Sequence, residues 1–265
     1  MKRRAVSFIV AAILLIISAS SAMPSQLWER VGDAAWADTK SPEEFEEILE
    51  KMLEAFEEHV LIRLSMKRCL EESELDQILD RIYARRDLVA ASLIRMDATI
   101  RFASGINNVE FLFTWIETKP QREEVLDRVP VILSWVLAPG MTERQVLEAI
   151  HDHVVSTVDY DDAMMRQGAW EAMRGRAVCQ GYALLMGALL TGAGFENRIV
   201  LSDDHAWNLV LTERAWRHID TAFDDPVIVG GGGSEGISRE AFLKTDAQMK
   251  ALGHRWDEGR YPAAR

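Results

Sequence analysis

GRAVCQGYALLMGALLTGAGFENRIVLSDDHAWNLVLTERAWRHIDTAFDDP, residues Gly175 to Pro226, contains a cysteine, a histidine and an aspartate in an order and context suited to one site. Cys179 precedes the apolar residues Ala183, Leu184, Leu185, Met186, Ala188, Leu189 and Leu190, and Gly192 and Gly194 close the run. That is a helix of ordinary length with C-terminal stop signals. Cys179 therefore belongs at or just inside a helix N-terminus, where unpaired amides and the positive end of the dipole favour a thiolate. Beyond it, Asn197 to Leu201 reads as a strand, Ser202-Asp203-Asp204 as a turn, and HAWNLVL from His205 as a second strand. Glu213-Arg214 supplies another turn, and Ala215 to Asp220 alternates as a third strand should. A hairpin of this kind sets His205 and Asp220 on neighbouring strands. The separations, 26 positions from Cys179 to His205 and 15 from His205 to Asp220, suit a helix and a hairpin folded onto one site.

VCQGYA at a helix start, then HAWN, then W-x-x-I-D-x-x-F-D-D-P together resemble the motifs of the transglutaminase-like superfamily, whose core is similar to that of papain-type cysteine proteases. The resemblance implies an α+β fold with the cysteine helix packed on an antiparallel sheet, preceded here by a small α+β module. It also implies roles: Cys179 as nucleophile, His205 as general base and acid, Asp220 as the group that orients the imidazole. Three motifs in order, with Tyr182, Trp207 and Trp216 beside them, make a specific signal. Tyr160-Asp161 extends it, and the tail with Trp256, Tyr261 and Pro262 resembles family tails that pack back on the core. Two positions depart from the bacterial pattern: Ala169-Trp170 stands about where Tyr-Gly is usual, and Ala222 where a Thr is usual. A side-chain oxyanion donor is expected from the resemblance, with Trp170 as the candidate.

The 265 residues allow one large or two small domains, either with a substantial core. Acidic residues outnumber basic ones 42 to 30, so nucleic-acid binding has no electrostatic support. Lys2-Arg3-Arg4, the apolar run Ala5 to Ile17 and the small residues Ser18 to Ala22 have the order of a secretory signal peptide over 1–22, with cleavage expected after Ala22 and an uncleaved anchor as the alternative. Residues 23–40 show no clear period and read as a linker. An α+β module over 41–117 follows. Ser41-Pro42-Glu43-Glu44 starts a helix whose face is Phe45, Ile48, Leu49, Met52, Leu53 and Phe56. His59 to Ser65 reads as a strand, Glu72 to Arg86 as a helix and Val109 to Ile116 as a strand. The catalytic domain is placed at 118–265. It opens with helices over Pro120 to Val136, with a break allowed at Pro130, and Thr142 to Ser156. Gly230 to Gly233 reads as a surface loop without phosphate-loop context, and Ser238 to Leu243 as the start of a closing helix.

His151 and His153 stand at i and i+2 of a helix and point to different faces, which argues against a metal pair and places at least one at the surface. His218 falls on the same face of its strand as Asp220 and is kept as the alternative base. Two cysteines in an exported chain suggest a disulfide, but one would consume Cys179, so Cys69 is taken as a small structural residue. No cofactor or metal is expected. Two functional classes follow. One is a secreted thiol enzyme acting on carboxamide or peptide carbonyls of a protein or peptide substrate, cell-wall associated ones included. The other is a non-catalytic cell-surface or cell-wall binding module on the same fold. Membrane association is expected only if the leader is retained.

Overall fold

The computed structural model describes residues 27–225 and 237–265, so the expected leader and the glycine run Gly230 to Gly233 lie outside the described residues. The described chain divides between residues 116 and 117 into two units.

In the first unit, β1 (Glu29–Val31) and β2 (Ala34–Thr39) precede α1 (Pro42–Glu54), followed by β3 (His59–Ser65), α2 (Glu72–Arg85), α3 (Asp87–Ser92), β4 (Leu93–Ala103) and β5 (Ile106–Trp115). The sheet order is β1-β2-β3-β5-β4, with β2 parallel to β3 and the other pairs antiparallel. The helix start at Ser41 forms as its residues dictate: Ser41 Oγ accepts from the Glu44 amide at 3.2 Å, and Glu44 Oε2 accepts from the Lys40 amide at 2.7 Å. Phe45, Ile48, Leu49, Met52 and Leu53 are buried on one face of α1. The linker expected over 23–40 is corrected by β2, which pairs residue by residue with β3 from Ala35↔Val60 to Thr39↔Leu64. Its buried residues include Ala34, Ala35 and Ala37, too small to give an apolar period, so the strand exists through its partner. β5 likewise begins at Ile106, earlier than its apolar run, because Asn107 and Asn108 are paired on both sides by β3 and β4. Cys69 is exposed, its thiol directed to the Leu70 carbonyl at 3.5 Å, and does not fill a core position; both cysteines are free thiols.

The second unit runs α4 (Lys119–Val136), α5 (Glu143–Thr157), β6 (Asp159–Tyr160), α6 (Ala169–Ala172), β7 (Arg176–Ala177), α7 (Cys179–Gly192), β8 (Asn197–Leu201), β9 (Ala206–Leu211), β10 (Trp216–Ile219), β11 (Phe242–Lys244) and α8 (Asp246–Ala251). α4 continues through Pro130 without a break. α5 starts at a capping box in which Thr142 and Gln145 satisfy each other's amides. β8 to β11 form an antiparallel sheet in the order β11-β10-β9-β8. α7 is buried almost all round, which explains an apolar run with no polar face, and Asn208 of β9 donates to its Ala183 carbonyl at 3.0 Å. The closing helix expected from Ser238 is corrected: Phe242–Lys244 is an edge strand on β10, and the helix begins after Thr245, whose hydroxyl accepts from the Gln248 amide at 3.3 Å. The tail packs back as its aromatic residues suggest, Tyr261 and Ala264 joining a core of Val200, Trp207, Leu209, Ala241 and Met249. Among the described residues no helix is long and apolar enough to cross a membrane.

The cysteine helix sits close to the chain that leads into it. A methyl group on Gly181 would lie 2.5 Å from Ala177 Cβ and 2.7 Å from the Gly168 carbonyl oxygen, neither of which is the end of a flexible side chain. Gly181→Ala is therefore expected to destabilise the unit by about 1–3 kcal/mol. Urea denaturation measures it, and an unchanged midpoint would mean that the 166–178 segment moves away without loss.

Candidate active site

Cys179 is the first residue of α7, with Val178 as an extended N-cap (φ −84°, ψ 174°), and its side chain is half-buried. The parallel bridge Tyr160↔Ala177 leads β7 into the helix, and the Val178 amide donates to the Arg166 carbonyl at 2.8 Å. The thiol thus stands at the positive end of a helix dipole, on backbone held from two sides. Tyr160 faces it. Burial and the negative charge of Cys179 push the Tyr160 phenol above its ordinary value.

His205 precedes β9 at the end of a tight turn in which Ser202 Oγ accepts from the His205 amide at 3.0 Å and the Ser202 amide donates to the His205 carbonyl at 2.9 Å. Asp220 directly follows β10, which pairs with β9 through Ile219↔Asn208. The hairpin brings His205 Nε2 to 2.6 Å from Asp220 Oδ2. An ionised carboxylate only accepts, so Nε2 carries a proton. Cys179 lies close enough to His205 to act on the imidazole, and with Nε2 taken by Asp220 the ring nitrogen left over is Nδ1. Burial alone would lower the basicity of this imidazole. The hydrogen bonds and charges of Asp220 and Cys179 overcome it and raise the pKa from 6.5 to about 10. Asp220 has no exposure, and burial would raise its pKa. Bonds from His205, His254 and the Phe223 amide, the last at 3.0 Å on Oδ1, hold it well below the usual carboxylate range.

Cys179, His205 and Asp220 therefore come together. His218 does not join them. It is fully buried, its Nδ1 accepts from Trp207 Nε1 at 2.9 Å, and its Nε2 lies 2.9 Å from Asp246 Oδ1. Both ring nitrogens are spent, and burial lowers its pKa, so strand alternation predicted the face but not the partners. Trp170 is also corrected: its indole donates to Glu124 Oε2 at 2.9 Å, with the Arg174 guanidinium 3.5 Å over the ring, and it is not an oxyanion donor. Neither helix histidine is exposed. His151 is fully buried with Nε2 3.0 Å from Asp224 Oδ2, and His153 is half-buried. Asp224 also accepts from Ser238 Oγ at 3.0 Å and from the Ala241 amide at 2.9 Å, so His151 anchors the segment after Asp220 rather than a metal. Tyr182 Oη reaches Val158 O at 2.7 Å and Asp225 Oδ2 at 2.5 Å, tying the same segment to α7.

His254 was missed by sequence reasoning. Its Nε2 lies 2.7 Å from Asp220 Oδ2, the oxygen that His205 also reaches. It is 34 positions from its partner, outside every motif, and nothing local marks it. Among the described residues, His205, Asp220 and His254 are the metal-ligand types whose donor atoms cluster, all within 4.8 Å. Their N···O separations of 2.6 and 2.7 Å are those of shared protons. Ligand atoms on a tetrahedral zinc stand roughly 3.3 Å apart, so the side chains as placed fit hydrogen bonds better than a cation.

A half-buried thiol at a helix start, a basic imidazole and a buried carboxylate on a helix-plus-antiparallel-sheet core define the class of fold. Residues 135–221 match the model of the Transglutaminase-like superfamily. No curated protein matches the chain. The solved structures it is similar to include a TGase, at 14% identity and TM-score 0.35 over 84% of this chain and 72% of that one. A proposed cysteine protease from Cytophaga hutchinsonii has 13% identity and TM-score 0.31 over 49% and 64%. A proposed protease from Parabacteroides distasonis ATCC 8503 has 9% identity and TM-score 0.26 over 61% and 39%. The chain thus spans less than two thirds of the length of the latter two.

The raised pKa of His205 has a stability consequence of definite sign. A base whose folded pKa exceeds its unfolded value stabilises fully below that unfolded value, 6.5, and the contribution is lost as pH rises toward about 10. The urea midpoint is expected to fall between pH 7 and pH 10, and to fall less in His205→Gln. Parallel curves for the two proteins would mean that the imidazole is not held as a cation.

Proposed function

We propose that this chain is a thiol acyltransferase or hydrolase acting on carboxamide or peptide carbonyls of a protein or peptide substrate. The observation that carries the reading is the 2.6 Å bond from His205 Nε2 to the fully buried Asp220, on an imidazole within electrostatic reach of Cys179. The Cys179 thiol gives its proton to His205 Nδ1, while Nε2–H remains on Asp220. The thiolate attacks the carbonyl carbon, a C–S bond forms, and the electron pair moves onto oxygen, where the Cys179 backbone amide at the helix start stabilises it. Collapse breaks the C–N bond, and the leaving amine takes the proton from His205. An amine or water then attacks the thioester and gives its proton back to His205, and the C–S bond breaks with return of the proton to sulfur. Asp220 keeps one imidazole tautomer and stabilises its cation throughout. The order of residues 1–22 supports export, with the mature chain starting near Met23; N-terminal sequencing of native protein tests this, and recovery of Met1 in membranes would favour an anchored form.

Incubation with a glutamine-containing protein and a fluorescent primary amine, with released ammonia and cleaved fragments assayed in parallel, tests the chemistry. Labelled product with ammonia is expected for transfer, ammonia or fragments alone for hydrolysis. Cys179→Ala is expected to abolish all of these with an unchanged circular dichroism spectrum, because the residue is small and at a helix start. Retained turnover in that variant would place the nucleophile elsewhere. A folded protein inactive in every arm, whose Cys179 reacts no faster with a small electrophile than Cys69, would instead be a binding module.

A further inference from the structure

His254 follows Gly253 (φ +100°) at the end of α8, and its amide donates to the Met249 carbonyl at 3.1 Å, so backbone alone fixes where its ring starts. The ring is 8% exposed and walled by Trp207, Phe223 and His205, with centroid distances of 5.1, 5.2 and 5.6 Å. Nε2 lies 2.7 Å from Asp220 Oδ2. Since that carboxylate only accepts, Nε2 must carry a proton, and in a neutral ring Nδ1 is then left with a lone pair. Nδ1 is buried and has no hydrogen-bond partner. Leaving such an atom unpaired costs about 1–3 kcal/mol, an arrangement that a leucine in the same space would avoid. Core filling therefore does not account for a histidine here, whereas an N–H aimed at Asp220 does.

We propose that His254 is a positioning residue: it donates Nε2–H to Asp220 and holds that carboxylate ionised, in the rotamer that meets His205. The inference rests on the thiol mechanism above. Without this donor the buried charge keeps, among the described residues, only His205 and the Phe223 amide, and the carboxylate is free to turn away from the imidazole it orients. His254 does not touch the reacting atoms; it acts through Asp220.

The intact protein supplies the first test. Nitrogen-15 NMR of labelled histidine is expected to show His254 as the Nε2–H tautomer, with Nδ1 unprotonated, across the pH range of turnover. An Nδ1–H tautomer overturns the proposal. Two variants supply the second. His254→Leu keeps bulk without a donor, and His254→Gln keeps an N–H near the reach of Nε2. His254→Leu is expected to lower kcat by about tenfold to a hundredfold, below the ~10⁴-fold known for loss of the orienting charge in a serine triad. KM should change little, and the downfield proton signal of the His205–Asp220 bond should broaden or vanish. His254→Gln should restore most of both. Equal activity in all three proteins, or equal loss in both variants, overturns the proposal. Alkylation of Cys179 by iodoacetamide separates the two levels of the argument. If Cys179 of the unaltered protein is no more reactive than Cys69, the thiol mechanism itself fails. A hyper-reactive Cys179 whose rate is unchanged in His254→Leu refutes only the role of His254.

Discussion

A carboxylate with no access to water must be surrounded by donors, and Asp220 is where the second unit meets that requirement. An unpaired buried charge is worth several kcal/mol of destabilisation, so each donor to Asp220 constrains the element that carries it. His205 Nε2 fixes the entry to β9, the Phe223 amide fixes the turn after β10, and His254 Nε2 fixes the end of α8. The Asp220 amide in turn donates to the Ala241 carbonyl at 3.2 Å, just ahead of β11. One residue thereby ties the hairpin, the closing strand and the tail to a common point. The same charge raises the pKa of His205, so that what holds the unit together also makes this imidazole more basic.

Three histidines lie around Trp207, and their surroundings divide the work among them. Trp207 is buried, stacks on His205 at 5.7 Å, meets His254 edge-on at 5.1 Å and donates its indole proton to His218. His218 is enclosed by Trp207, Trp256 and Asp246, and with both nitrogens bonded it is a structural polar link inside an aromatic cluster. His205 alone of the three retains substantial exposure, 27% of its side chain, and lies within electrostatic reach of Cys179. A histidine between a buried carboxylate and a half-exposed cysteine has a proton to move. A histidine between an indole and an aspartate has none to spare.

What was legible in the sequence was whatever rests on local pattern. The cysteine helix, the strands Asn197–Leu201 and Trp216–Ile219, the capped starts at Ser41 and Thr142 and the convergence of Cys179, His205 and Asp220 all follow from apolar spacing, caps and motif order. What was not legible depends on partners far along the chain. β2 has alanines where a strand pattern needs larger side chains, and it becomes a strand because β3 supplies a parallel edge. Phe242–Lys244 is too short to declare itself and exists through β10. His151 was read by helix geometry alone, which could not foresee Asp224 arriving from 73 positions away to claim it. Trp170 stood in the right place along the chain for a donor to the site, but Glu124 and Arg174 decide where its indole points. His254 is the same case in reverse, a residue with no motif around it that gains its place from a shared partner.

Cys179 stands at the start of α7, and His205 just precedes β9 in the sheet that packs on that helix. The helix start lends Cys179 a positive dipole end without adding a cation to the core, and the buried Asp220 lends His205 a negative charge without competing for the thiol. Were Asp220 solvated, its field at the imidazole would be screened and burial would leave His205 the weaker base. Were Cys179 in mid-helix, its thiolate would face amides already spent on the helix ladder. Gly181 lets α7 come against Ala177 and the Gly168 carbonyl, which is how the helix start reaches the site at all. The pairing of a buried charge on the sheet side with a dipole on the helix side is thus a property of the two-layer packing.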